Sequence, residues 1–261
     1  MKLLKRVLIA VFFIPLLIYI FYVGGVALAS FLALVAFLMM FELREMFFKK
    51  GIILPRIISI LGLIVFLSSL YFDIVVVFAS LLITFIFVMG IDLLKNRLEG
   101  AMQRSSAAVF LVVYIAVFFS CVYHIRTLDN GRNLVLGLLF MIWITDMAAY
   151  FTGKAIGKHK GIFKASPNKS LEGFLAGIIF SLAGSILLLF FMEFSVAQAV
   201  AVAISSGIFG QMGDLIESIL KRDAGVKDSS NALPGHGGIL DRFDSFLLAA
   251  PTFYVILFFI K

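Results

Sequence analysis

Long apolar runs alternate along the chain with short polar connectors. A helix needs about 20 mostly apolar residues to cross the hydrocarbon core of a bilayer, within a range of about 17–25. Runs of this kind lie at 7–23, 26–43, 57–72, 74–94, 106–124, 134–151, 173–191, 196–220 and 243–260. The pattern predicts about nine transmembrane helices in an all-α, polytopic integral membrane protein. The third run is short, and only Gly24-Gly25 separates the first two. No internal repeat or low-complexity tract interrupts the series. Nor is there an inverted pair of broken helices of the kind transporters use.

Composition agrees with this reading. Hydrophobic residues make up 62% of the chain and charged residues 14%, with mean hydropathy +1.13. A soluble domain has about 45–50% apolar and about 25% charged residues. With 30 Phe and a single Trp, packing must rest on Phe and the aliphatics. Cys121, the lone cysteine, excludes an intramolecular disulfide and sits in an apolar run as filler. The opening residues through Gly25, followed by Ala27-Leu28-Ala29, look superficially like a secretory leader. However, the apolar stretch exceeds the usual 7–15 residues and hydrophobicity resumes at once, so it reads as the first span, with cleavage the alternative.

The net charge of +7 is scattered over connectors rather than gathered on one face, which argues against nucleic-acid binding. It acts instead as a topology signal. With the N-terminus inside, 19 of the 22 Lys and Arg residues fall on inner segments, and only Arg126, Arg132 and Lys261 fall outside. The N-terminus is therefore expected in the cytoplasm, together with the polar loops 152–172 and 221–242. The expected organisation is one membrane domain, 1–261, with a helical scaffold over 1–130 and a part over 134–250 that carries both polar loops and would hold any catalytic chemistry.

Carboxylates inside apolar runs mark the chemistry. Each costs about 2.5–3.5 kcal/mol at the centre of a span on insertion scales, so it should face a polar cavity or a cation. Gln211, Asp214, Ser218 and Lys221 recur every three or four residues and share one helical face. Pairing of Asp214 with Lys221 or Arg222 near the interface is the competing explanation. Glu217 fits a supporting ion pair as well as a direct role. Asp241 and Asp244 stand at i and i+3 where the last span opens, a position the helix dipole favours for an anion. Capping explains one aspartate. Two on one face, opposite a third, resemble a cation site whose oxygen donors favour Mg²⁺ over zinc.

Pro234-Gly235-His236-Gly237-Gly238 joins these helices. Its small residues suit either a tight reversal or close approach of backbone N–H groups to a phosphate. In the other polar region, Asp146 lies one turn inside its span and repeats the anomaly of Asp214. Gly153, Gly157 and Gly161, with Lys154, Lys158 and Lys160, form a flexible basic loop that lacks P-loop spacing. Ser170 is a suitable helix N-cap. His159 reads as a solvated loop residue and His124 as a helix-end residue on the far side.

From Ser218 to Asp244 the sequence resembles the phosphatidate cytidylyltransferase (CDP-diacylglycerol synthase) family. The resemblance rests on Ser218, Lys221-Arg222, Lys227-Asp228, Ser230, Leu233-Pro234, His236-Gly237-Gly238, Asp241-Arg242 and Asp244, all at fixed spacing over 27 residues. Upstream, Asp146, Ala149-Tyr150, Gly153-Lys154, Gly157-Lys158, Ser166-Pro167, Lys169 and Glu172-Gly173 are also similar to the family. Ser170 stands where the family usually has threonine, and the hydroxyl is kept. The likeness is strong over 140–250 and elsewhere rests on apolarity alone.

This resemblance implies transfer of the cytidylyl group of CTP to phosphatidic acid, with release of pyrophosphate. It implies Asp214, Asp241 and Asp244 as metal ligands, Asp146 as a further candidate, and magnesium as the ion, with a second cation as an option. Lys227 and His236 would join the three aspartates in catalysis. Lys169, Ser170, Ser218, Lys221, Arg222, Gly237, Gly238 and Arg242 would bind substrate. The expected partners are CTP, phosphatidic acid and the bilayer, with a homo-oligomer, preferably a homodimer, in the inner (plasma) membrane and its site toward the cytoplasm. Two alternatives stand beside it. A CTP-dependent polyprenol or phytol kinase would move a phosphoryl group instead. A cation-coupled transporter would place polar residues near mid-membrane on several spans.

Overall fold

The computed structural model describes residues 2–232 and 237–260, with side chains from residue 11 onward. Among the described residues there are nine helices and no strand. They are α1 (Lys2–Val23), α2 (Gly25–Lys49), α3 (Ile57–Tyr71), α4 (Ile74–Leu94), α5 (Ala101–Thr127), α6 (Gly131–Ile156), α7 (Leu171–Phe191), α8 (Val196–Asp223) and α9 (Leu240–Phe259). Seven are long and apolar enough to cross a membrane. The other two, α3 and the Val11–Val23 part of α1, are shorter, so length and apolarity account for seven of the nine expected spans.

Backbone groups in lipid must be satisfied within the chain, which is why long apolar runs become helices here. One face of each helix then packs inward. On α2, Leu28, Leu32, Val35, Met39 and Leu43 are buried at helical spacing, whereas Leu34, Phe41 and Phe48 are exposed on the other side. In water such exposed apolar residues would form an adhesive patch; in a bilayer they are ordinary surface. The break between α1 and α2 is held at Gly24, which has φ +70°. There the Arg126 guanidinium donates to the carbonyls of Phe21, Tyr22 and Val23, the last acceptors of α1.

The last helix, α9, lies centrally against α5 and α8 and also touches α2. The abundance of phenylalanine is used here. Phe243 meets Phe119 at 5.6 Å between ring centroids and Phe31 at 6.2 Å, and Phe246 meets Phe21 at 6.2 Å, all edge-on.

Both polar loops are shorter than expected. The α6 helix runs on to Ile156, so Gly153 and Lys154 are helical rather than part of a flexible loop. The reason is packing: a Cβ at Gly173 on α7 would meet the Ala149 carbonyl oxygen at 2.6 Å and Gly153 Cα at 3.2 Å, so these glycines let α6 and α7 close together. Likewise α8 carries Lys221 and Arg222 within its last turn, and α9 begins before Asp241.

Candidate active site

The lower part of α8 is aimed by a local irregularity. Ser205–Gly210 forms a π-helical segment, which admits one extra residue and re-phases everything after it. Gln211 follows, buried, and its amide donates to the Phe174 carbonyl on α7 at 3.0 Å, which fixes the rotation of α8 against α7. Two residues on, Gly213 lets α8 touch the α9 backbone. A Cβ there would stand 2.5 Å from the Asp244 carbonyl oxygen. Asp214, Glu217 and Asp244 thereby come together, each offering a carboxylate oxygen within 4.8 Å of the others. Ser218 is buried one turn below Asp214, its hydroxyl 3.4 Å from Asp214 Oδ1.

Asp241 stands apart from that cluster. Its Oδ1 accepts from Lys221 Nζ at 2.6 Å, and its Oδ2 accepts from the N–H groups of Gly238 at 2.7 Å and Ser229 at 3.1 Å. Lys221 also pairs with Glu217, so one ammonium bridges two carboxylates. The sequence grouped Asp214, Asp241 and Asp244; the structure groups Asp214, Glu217 and Asp244 and gives Asp241 to Lys221 and the connector. Glu42 on α2, which the sequence reading did not single out, is also buried here and accepts hydrogen bonds from Ser229, Ser230, Ile239 and Leu240. It was legible by the criterion applied to Asp214, a carboxylate among apolar residues. Its place at the end of a span, just before a basic connector, disguised it.

A cavity of about 590 Å³ opens beside these groups, within the usual range of about 300–1,000 Å³ for ligand sites. Asp146, Asp214, Asp241 and Asp244 line it together with Lys154, Lys160, Lys169 and Ser170. Lys169 Nζ lies 2.6 Å from Asp214 Oδ2. Ser170 is the N-cap of α7, its Oγ accepting from Gly173 N at 3.1 Å, as its position in the sequence suggests.

Among the described residues, Arg222, Lys227, Gly237, Gly238 and Arg242 do not line this cavity. Arg222 is exposed and donates to the Ala165 carbonyl at 3.1 Å, which ties the end of α8 to the 157–170 connector. Lys227 and Arg242 are exposed. Gly237 has φ +82°, and Gly238 is buried. His236 lies outside the described residues, as do Leu233, Pro234 and Gly235. His159 is exposed, its ring and its backbone N–H both meeting Glu172.

Four carboxylates therefore line the cavity (Asp146, Asp214, Asp241 and Asp244), with Glu217 within reach of Asp214 and Asp244, and Lys169 and Lys221 form ion pairs with three of these five groups. Glu217 is wholly inaccessible, and its Oε1 has no hydrogen-bond partner among the described residues. Uncompensated like charges this close repel strongly in a poorly solvated place. A bound cation removes that cost. With oxygen donors only, the set fits a hard divalent ion.

Residues 4–260 match the Cytidylyltransferase family. The phosphatidate cytidylyltransferase of Staphylococcus haemolyticus is 36% identical over 260 residues, covering 97% of each chain. Those of Staphylococcus saprophyticus and Staphylococcus aureus are 34% identical over the same share.

Proposed function

The chain belongs to the cytidylyltransferase family, and we propose that it transfers the cytidylyl group of CTP to phosphatidic acid, giving CDP-diacylglycerol and pyrophosphate. The observation that carries the site assignment is the meeting of Asp214, Glu217 and Asp244 at a cavity also lined by lysines. The family favours neither the lipid kinase nor the transporter.

One substrate is a soluble polyanion and the other a lipid whose phosphate lies at headgroup level. A site at the helix ends, toward the cytoplasm, serves both. The nucleophile is a phosphate oxygen of phosphatidic acid. With a second pKa of about 6, a phosphomonoester is largely dianionic at pH 7, so no general base is needed. That oxygen bonds to the α-phosphorus of CTP as the bond to the bridging oxygen of the β-phosphate breaks, and the electron pair leaves on pyrophosphate.

The obstacle is mutual repulsion of the reactants, so the protein's work is charge neutralisation and in-line positioning. Asp214, Glu217 and Asp244 would hold Mg²⁺, with Asp146 near enough to the cavity to help with a second cation. When bound, the ion supplies charge neutralisation at the nucleotide phosphates. Lys169, Arg222, Lys227 and Arg242 would receive phosphate oxygens, with Gly237 offering close backbone approach. Lys221, bridging Glu217 and Asp241, sets the spacing of α8 and α9 as well as contributing charge. Asp241 shapes the connector that carries Lys227 and the glycines.

Purified protein given CTP, phosphatidic acid and Mg²⁺ should release pyrophosphate and transfer a label from the α-phosphate of CTP into lipid, and EDTA should stop both. Label entering the lipid from the γ-phosphate, or lipid-independent CTP breakdown, would refute the assignment.

A further inference from the structure

Glu42 lies on α2, 187 to 198 residues away in sequence from the groups it binds. Its residue surface is only 4% exposed, so its carboxylate must be satisfied by the protein. Oε1 accepts from Ser230 Oγ at 2.5 Å and from Ile239 N at 2.9 Å. Oε2 accepts from Ser229 Oγ at 3.0 Å and from Leu240 N at 2.8 Å.

Two of these donors open α9, and the first N–H groups of a helix have no partner within it. Ile239, the N-cap residue, offers no side-chain oxygen. Glu42 therefore supplies from another helix what an N-cap side chain normally supplies locally, along with the negative charge the helix start favours. The other two donors belong to the connector between α8 and α9. Gly238 makes this closure possible, since a Cβ there would meet both Glu42 oxygens at 2.7 Å.

The contacts continue inward. Ser229 Oγ lies 3.0 Å from Asp241 Oδ2 as well as from Glu42 Oε2. Asp241 binds Lys221, and Lys221 binds Glu217 of the carboxylate cluster. A continuous polar line thus runs from the N-terminal half of the chain into the site. Simple anchoring of α2 to α9 would not require it, because Phe31 and Phe243 already pack across that interface.

We propose that Glu42 is a positioning residue for the transfer reaction. It sets the connector and the first turn of α9 so that Asp244 faces the other carboxylates of the cation site, Asp241 faces Lys221, and the turn at Gly237 faces the nucleotide phosphates, in one arrangement. This role rests on the cytidylyl-transfer reading. Glutamine is the informative substitute. Each carboxylate oxygen accepts from one hydroxyl and one backbone N–H, and a hydroxyl can turn to accept from the new amide. A backbone N–H cannot turn, so Glu42→Gln keeps the shape and leaves one of Ile239 N or Leu240 N without an acceptor.

The test uses full-length protein in nanodiscs and measures the CTP KM, kcat, Mg²⁺ half-activation and thermal midpoint. Glu42→Gln should raise the CTP KM or the Mg²⁺ requirement about tenfold, the effect of one buried donor left unpaired, and should lower the midpoint less than Met39→Ala does. The double variant Ser229→Ala/Ser230→Ala should move the same parameter. Met39→Ala, a core truncation on the same helix, should lower the midpoint and leave CTP and Mg²⁺ dependence unchanged.

Unchanged CTP and Mg²⁺ dependence in Glu42→Gln overturns the role. So does a pattern in which Glu42→Gln and the serine pair behave like Met39→Ala. Should Glu42→Gln fail to fold, the serine pair decides, and an unchanged KM there overturns it. Absence of pyrophosphate release from the unsubstituted protein would instead overturn the cytidylyl-transfer reading, and this role with it.

Discussion

Gly213→Ala tests the geometry on which the site depends without touching a charged group. The added Cβ would sit 2.5 Å from the Asp244 carbonyl oxygen and 3.2 Å from Ser245 Cα. Ordinary contact begins at 3.4 Å, so α8 and α9 must part by about 0.9 Å at this level. Both opposing atoms are backbone, so neither can swing aside. Asp214 follows Gly213 directly, and Asp244 carries the contacted carbonyl, so the separation is transmitted to both carboxylates. Magnesium requires near-octahedral oxygen ligands at about 2.0–2.1 Å, which leaves little tolerance for such a shift. A misplacement of about 1 Å costs about 100-fold in rate.

Pyrophosphate release in Gly213→Ala is accordingly expected to fall about 100-fold, with Mg²⁺ half-activation moved upward. Overpacking of this kind costs about 1–3 kcal/mol of stability, so the thermal midpoint should drop without loss of the fold. Gly90→Ala on α4 is the control: its Cβ would meet nothing within 4 Å, and activity should be unchanged. Near-normal turnover in Gly213→Ala, at the usual Mg²⁺ concentration, would refute the argument that this helix contact sets the carboxylate geometry.

Asp214→Asn and Asp244→Asn should each abolish pyrophosphate release in a folded protein; near-normal turnover in either would remove that residue from the metal shell. Asp241→Asn should lose thermal stability as well as activity, because Lys221 keeps only Glu217 and the connector loses a charged acceptor; a hydrogen bond to a charged group contributes about 1.5–3 kcal/mol. A calorimetric midpoint unchanged in Asp241→Asn would contradict that distinction. Lys227→Ala should weaken CTP use, read as KM, more than it alters the thermal midpoint; the reverse order would mark the lysine as structural.

The helices were legible because a run of about 20 apolar residues is a local signal that lipid turns into helix. Their ends were less so. The sequence places Gly153 and Lys154 in a loop, because a glycine-lysine stretch reads as a chain break; the close approach of α7 at Gly173 is what keeps that turn helical. The site was legible as far as single residues announce themselves. Asp214 and Asp244 were visible as charges in apolar surroundings, and Ser170 as a cap. The sequence leaves Glu217 between two roles and gives no distinct signal at Glu42.

Hydropathy and charge belong to each segment, and they suffice to make this chain a bundle of membrane helices with carboxylates, lysines and glycines collected at helix ends. Which carboxylates meet is set by packing between helices. That Glu217, and not Asp241, joins Asp214 and Asp244 depends on the phase of α8 after its π-helical segment and on the depth of the Gly213 contact. That Glu42 reaches the start of α9 depends on how distant helices pack. Rotation and separation of helices are set by contacts between segments remote in the chain, and no local pattern encodes them.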